Sequence, residues 1–267
     1  MTKRARFRFY AELNDFLPPP LRFRDAERTF LGAPAVKDVV EALGVPHTEV
    51  DLLLVNGESQ GFDYRLQDGD RVSVYPVFEA LDLGAATRVR PAPLRDPRFI
   101  LDVHLGRLAR LLRLLGFDAE YSPRAEDDDL AARSVAERRI LLTRDRQMLK
   151  RRLVTHAYCL RSQAPFEQAV EVLRRFDLTS RAAPLTRCLR CNGRLQPLGI
   201  EDAAERLPPG VRASITRLAE CRECRRLYWD GTHYPRLLGM ADELLAQAVA
   251  GPAADAPGRP RAGDPGN

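Results

Sequence analysis

Short runs of alternating apolar and polar positions fill the first eighty residues. Residues 4 to 10 alternate as a strand does, and Val36 to Leu43 has the apolar spacing of a helix that stops at Gly44. Leu52-Leu53-Leu54-Val55 reads as a strand running into a tight Asn56-Gly57 turn, and Asp68-Gly69-Asp70 introduces another alternating strand, Arg71 to Pro76. Turn and breaker residues from Leu83-Gly84 to Pro97 predict a linker. Beyond it the pattern changes. Arg98 to Val103 is a short buried strand, and Leu105 to Leu115 is an amphipathic helix with apolar residues at 105, 108, 111, 112 and 115, stopped by Gly116. Phe117 to Tyr121 reads as the next strand and Ile140 to Thr143 as a third. Between them a helix runs from about Leu130 to Glu137, capped by Asp127, Asp128 and Asp129. Phe166 to Phe176 gives one more helix. Strands alternating with helices predict a parallel sheet covered on its faces, with its reactive edge at the C-terminal strand ends. From about Ala250 the chain has almost nothing to bury, which predicts a disordered tail.

Composition narrows the class. With 45% hydrophobic and 30% charged residues the chain is ordinary for a soluble protein. No apolar run approaches the ~20 residues of a membrane span. The N-terminus begins basic but alternates instead of entering an apolar signal core, so a cytoplasmic location without membrane association is expected. Net charge is +5, carried almost wholly by arginine because lysine occurs only at 3, 37 and 150. That mild excess raises a nucleic-acid partner only slightly, and the placement of the arginines matters more.

Two Cys-x-x-Cys pairs, Cys188/Cys191 and Cys221/Cys224, are the sharpest chemical signal. A tetrahedral zinc needs four soft ligands, and each such turn offers two thiolates at one corner. Gly193 follows the first pair closely and suits the tight turn of a zinc knuckle, while Leu227-Tyr228-Trp229 behind the second reads as a strand. The 29-residue gap exceeds the commonest ribbon spacing and contains an insertion over Glu201 to Pro209. The rival reading is a redox or disulfide pair. It is disfavoured because no helix is expected after either motif and the N-terminal residues do not read as an export signal. A structural zinc supplies ~10–16 kcal/mol of apparent binding free energy, enough to fold a small ribbon. Cys159 stands alone in an apolar stretch and reads as core, and His233 is a packing or solvent residue before it is a nucleic-acid contact.

Asp102 ends the first strand of the α/β unit, Asp128 begins a helix and Asp145 follows the third strand. If strands one and three are neighbours, these acids meet at one sheet edge, where hard carboxylate oxygens could hold Mg²⁺ or Mn²⁺ against a phosphodiester. Each acid also has a plainer use: Asp128 and Asp129 as helix caps, Asp145 as the cap of a helix beginning near Gln147, Asp102 as a strand-end turn residue.

The residues Phe99 to Asp118, then Asp128-Asp129-Leu130, then Arg139 to Asp145, closely resemble the PIN-like ribonuclease domain named from the C-terminal part of the Mut-seven exonuclease. In that family a zinc module of the form Arg-Cys-x-x-Cys-Asn-Gly and Cys-x-x-Cys follows, with Tyr-Trp and Gly-x-His behind it, and Arg187 to Gly193 and Cys221 to His233 match. The first 80 residues resemble the ubiquitin-like β-grasp of sulfur carriers, which some members carry. The carriers' terminal Gly-Gly is absent, since the last strand runs on into Val77 to Ala80. The resemblance implies an α/β architecture in three parts. These are a ubiquitin-like β-grasp domain over 1–80 and, after a linker over 81–97, a PIN-like nuclease domain over 98–180 and a zinc ribbon over 184–240, with the tail over 250–267. It implies that Asp102, Asp128 and Asp145 bind a catalytic Mg²⁺ or Mn²⁺, with Asp129 the alternate for Asp128, and that Thr143 orients the site. No position soon after Asp145 supplies the fourth acid that many PIN nucleases have.

Arg107, Arg110 and Arg113 recur every three residues on one helix, and Arg144, Arg146, Lys150, Arg151 and Arg152 surround the third acid. Such residues either hold a phosphate backbone without reading sequence or form solvated faces. The expected function is metal-dependent hydrolysis of RNA, probed best with single strands, with structural zinc in the ribbon and a protein partner for the β-grasp domain. The alternatives are a non-catalytic RNA-binding or adaptor protein and, more weakly, a sulfur-transfer accessory protein.

Overall fold

The computed structural model describes residues 1–76, 88–89, 97–151, 153–208 and 210–250. Most of the expected linker, Val77 to Ala80, Arg152 and the tail beyond 250 lie outside the described residues.

The N-terminal part is a five-stranded sheet in the order β2-β1-β5-β3-β4. Strand β1 (Lys3–Phe9) alternates strictly, burying Ala5, Phe7 and Phe9. It pairs antiparallel with β2 (Asp25–Phe30) and parallel with β5 (Arg71–Pro76). Strand β3 (Val50–Val55) joins β5 antiparallel and turns at Asn56-Gly57 into β4 (Glu58–Ser59). Both turn residues have positive φ, 54° and 91°, the conformation that a two-residue hairpin needs and that Asn-Gly supplies at least cost. Helix α1 (Val36–Ala42) lays Val36 and Val40 into the core beside these strands. Sequence pattern misses β2 because it is an edge strand with only Ala26 buried.

The central sheet is wholly parallel, in the order β7-β6-β8-β9. Its strands are β6 (Phe99–Leu101), β7 (Ala119–Tyr121), β8 (Ile140–Thr143) and β9 (Ala157–Cys159). Strands β6, β8 and β9 are buried along their whole length, as a sheet covered on both faces requires. Phe99, Leu101, Leu142 and Tyr158 face α2 (Gly106–Leu114), α5 (Pro165–Arg175) and α6 (Tyr234–Ala250). Ile100, Leu141, Ala157 and Cys159 face the other way, toward α3 (Asp127–Ala136), α4 (Arg146–Leu149) and the N-terminal part.

On that second face the apolar cluster is continuous from Phe7 and Leu53 through to Leu141 and Met148, so the β-grasp unit itself covers the sheet. Polar groups fix the junction. The buried Glu49 carboxylate accepts the Cys159 N–H at 2.7 Å and Arg161 at 3.3 Å. His47 reaches Glu41 at 2.6 Å and the Val154 carbonyl at 2.9 Å, and Lys150 donates to the Glu41 carbonyl at 2.9 Å. Cys159 is core, and burial pushes its thiol up to about 11, which makes it unreactive.

The third sheet is antiparallel, β10-β11-β12, formed by Leu195–Pro197, Leu218–Cys221 and Leu227–Trp229. Two expectations change. Helix α3 begins at Asp127, so the three acids occupy its first turn and meet the positive end of its dipole instead of capping it, and the cap residue is Glu126. Between the ribbon and the tail lies α6, whose Ala241, Leu244 and Ala248 pack into the α/β core.

Candidate active site and metal centre

Strands β6 and β8 are direct neighbours, so their C-terminal ends bring Asp102 and Thr143 together. The buried Thr143 hydroxyl donates to the Asp102 carboxylate at 2.7 Å and accepts the Asp145 N–H at 2.9 Å. One hydroxyl thus fixes both acidic positions. Asp145 is the N-cap of α4, its carboxylate accepting the Gln147 N–H at 2.8 Å, while its side chain stays exposed. Asp102 is only 7% exposed, and among the described residues Thr143 is its sole hydrogen-bond donor and no cation pairs with it. A buried carboxylate with one neutral partner is costly unless a cation completes it.

Gly106 opens α2 beside this edge. A Cβ there would stand 2.8 Å from the Tyr121 ring, whose hydroxyl donates to the Val103 carbonyl at 2.9 Å. The glycine therefore lets the helix start against β7 directly behind Asp102.

Asp128 is placed differently. Its side chain is 92% exposed on the first turn of α3 and paired with Arg151, which also reaches Asp127 at 3.5 Å. Asp129 is exposed beside it. Among the described residues, these acids do not gather with Asp102 and Asp145 into a group of three or more placed to hold a metal ion.

The arginines divide. Arg107, Arg110 and Arg144 are exposed. Arg146 turns to the N-terminal part, lying over the Phe16 ring at 4.8 Å and donating to the Asp15 carbonyl at 3.1 Å. Arg113 is buried and donates to the carbonyls of Ala119 and Arg190, both at 2.8 Å, so it belongs to the packing. Each i+3 step drifts ~60° around a helix, and two steps carry Arg113 about a third of a turn away from Arg107.

The four thiols of Cys188, Cys191, Cys221 and Cys224 lie within 4.8 Å of one another and could hold a metal ion. Sγ separations are 3.6 Å for Cys188–Cys224 and 3.4 Å for Cys191–Cys221, near the ~3.8 Å edge of a tetrahedron with metal–sulfur bonds of ~2.3 Å. The two knuckles repeat one geometry. Asn192 and Arg225, each just after its second cysteine, take positive φ of 69° and 59°, and each donates its N–H to the carbonyl of the first cysteine of its pair, at 3.0 and 3.1 Å. Gly193 is therefore not the turn residue. Its missing Cβ makes room for the Cys221 sulfur, which would otherwise lie 2.8 Å away. Burial opposes ionisation of Cys188, but hydrogen bonds from the Tyr228 hydroxyl and the Cys191 and Arg190 N–H groups outweigh it and lower the thiol to about 6. Burial, only partly offset by the Gly193 N–H, and the neighbouring thiols push Cys191 up to about 12. Cys188 thus offers a ready thiolate to an entering metal.

A residue that spacing does not single out joins this module to the α/β unit. Asp118, just before β7, accepts Arg139 at 2.6 Å, Asn192 at 2.7 Å and Arg187 at 3.2 Å. Asn192 in turn accepts the Ala119 N–H at 3.0 Å. Arg187 and Asn192 flank the cysteines in sequence, which was the available signal. The first knuckle therefore docks where α2 ends and β7 begins, at the sheet edge opposite Asp102 and Asp145.

Residues 97–240 match the family model described as Mut7-C RNAse domain, and residues 2–82 match Mut7-C ubiquitin. Neither the curated proteins nor the solved structures yield a match.

Proposed function

This chain belongs to the Mut7-C RNAse domain family, and on that footing we propose that it hydrolyses RNA phosphodiester bonds at the edge formed by Asp102 and Asp145, with Mg²⁺ or Mn²⁺ as cofactor. The observation that carries the reading is the buried Asp102 carboxylate without a cationic partner among the described residues, a donor set suited to a hard divalent ion. Such an ion, when bound, polarises the phosphate and lowers the pKa of an attacking water. Thr143 holds the Asp102 carboxylate in one rotamer and the Asp145 backbone in register, so neither acid has to reorganise. Asp128 joins the site only if Arg151 releases it. Arg107, Arg110 and Arg144 draw the phosphate backbone of a single strand toward the edge. Zinc, favoured by four thiolates, fastens the two knuckles and has a structural role.

The Asp128–Arg151 pair favours a second reading, in which the protein binds RNA without cutting it. Manganese-dependent cleavage of single-stranded RNA, run beside an Asp102→Asn/Asp145→Asn double variant, separates the two. Strand cutting by the parent chain alone supports the enzyme, and identical traces refute it.

A further inference from the structure

A cleft of about 970 Å³ opens between the third sheet and the start of α6. Trp229, His233, Tyr234, Ile215, Leu237 and Arg217 are among its lining residues. We infer that this cleft takes an unpaired nucleobase of single-stranded RNA, stacked on Trp229, and so serves as a substrate-holding subsite remote from the acids. The inference rests on the ribonuclease reading for its choice of polymer.

The chemistry of the lining favours a base. Trp229 is half-buried, packed against the small cluster of Ala203, Leu207, Ile215 and Leu218, and it also lines the cleft. Gly231 accommodates the indole closely, since a Cβ there would stand 2.7 Å from Nε1. Aromatic faces beside an arginine are how proteins hold unpaired bases without reading sequence. Charge agrees with a polyanion. Residues 184 to 240 contain ten arginines against six acids, so this module carries nearly all of the chain's positive excess. Asp230, the one acid among the described residues lining the cleft, is engaged by the Thr216 hydroxyl at 2.6 Å and the Thr216 and Arg217 N–H groups at 3.0 and 3.1 Å, where it shapes the loop carrying Arg217.

Position ties the cleft to the candidate active edge. Pro184, Leu185 and Thr186 line it, and the Leu185 N–H donates to the Leu114 carbonyl at the C-terminal end of α2. The other end of α2 starts beside Asp102. Nine residues of helix separate the two ends, about 13 Å at ~1.5 Å per residue, and the exposed Arg107 and Arg110 lie on that helix.

Trp229 is the chain's only tryptophan, so its emission reports the cleft directly. The test uses full-length Asp145→Asn protein without added divalent ions and an unstructured 12-nucleotide RNA, followed by Trp emission and by anisotropy of end-labelled RNA. Saturable quenching that parallels the anisotropy is expected, with at least ~10-fold weaker binding for Trp229→Ala and little change for Trp229→Phe. Arg217→Ala, made in parallel and checked for retained zinc, weakens binding without disturbing the indole. RNA that binds by anisotropy while Trp229 emission stays constant overturns the inference and assigns the cleft to another occupant such as a protein segment. So does equal quenching by a blunt duplex. The outcomes remain separable from the ribonuclease reading: quenching with no cleavage by the parent chain sinks that reading alone, and cleavage without quenching sinks this one alone.

Discussion

Replacing Asp118 with Asn tests the junction between the α/β unit and the metal module. The carboxylate serves Arg139, Arg187 and Asn192 at once, and the side chains are mostly buried: 18% exposed for Asp118, 10% for Arg139 and 14% for Arg187. The amide keeps one acceptor oxygen but turns an N–H₂ toward either Arg187 or the Arg139–Asn192 pair, and both guanidinium groups lose the charge of Asp118, Arg139 keeping Glu137 at 2.6 Å. Breaking a fully buried pair from one side costs ~3–5 kcal/mol, and a hydrogen bond to a charged group is worth ~1.5–3 kcal/mol. Residual exposure and the retained oxygen reduce this to about 2–4 kcal/mol. At ~2–4 °C per kcal/mol for a chain of this size, the melting temperature falls by roughly 5–15 °C. The pH dependence is a second check. Burial raises the Asp118 pKa, but hydrogen bonds from Arg139 and Asn192 and the charges of Arg139 and Arg187 outweigh it and hold it below the usual carboxylate range. A depressed folded pKa contributes stability that is fully present above the unfolded value of ~3.9 and is lost as pH falls through the folded one. Urea unfolding of both proteins should show a constant gap from pH 8 to 5 that narrows below about pH 4. A gap under ~0.5 kcal/mol at pH 7, or one that widens on acidification, refutes the assignment.

Thr143→Val should remove ~1–3 kcal/mol of stability and at least ~10-fold of cleavage rate, whereas Thr143→Ser should keep most of both, measured by urea unfolding and single-turnover cleavage. Gly106→Ala forces a Cβ against the Tyr121 ring and should cost ~1–3 kcal/mol in a thermal melt, a loss that Tyr121→Ala in the same chain partly relieves. Cys191→Ser should lower bound zinc well below one equivalent per chain by elemental analysis and unfold the third sheet in circular dichroism. Glu49→Gln leaves Arg161 with a weaker partner and should destabilise the chain by ~1–3 kcal/mol, with faster hydrogen exchange at Cys159 as its local signature.

Much of this arrangement is legible in the sequence because burial on both faces leaves continuous apolar runs. Phe99-Ile100-Leu101 and Ile140-Leu141-Leu142 announce parallel strands, and the first polar residues after them, Asp102 and Thr143, must then emerge at the same edge. What stays hidden depends on distant partners. Nothing local to Asp128 shows that Arg151 lies against it, and the spacing of Arg113 resembles that of the exposed Arg107 although it ends in a buried seam. Strand β2 is nearly all polar because its neighbour β1 supplies the buried face. Helix α6 had a usable signal in the spacing of Leu237, Ala241, Leu244 and Ala248, masked by Pro235 and Gly239 near its start.

The apolar cluster shared by the N-terminal sheet and the central one has a consequence for how the gene product can be cut. Ile100, Leu141, Met148 and Val154 share one apolar cluster with Val45 and Val50, so the central α/β unit expressed alone would present an oily wall to solvent. The two halves would melt together in one transition, and separation by protease would leave a sticky, aggregating fragment where tethered domains leave two soluble ones. The ubiquitin-like part is, in that sense, one slice of a three-layer sandwich, and the shortest foldable version of the chain should include it.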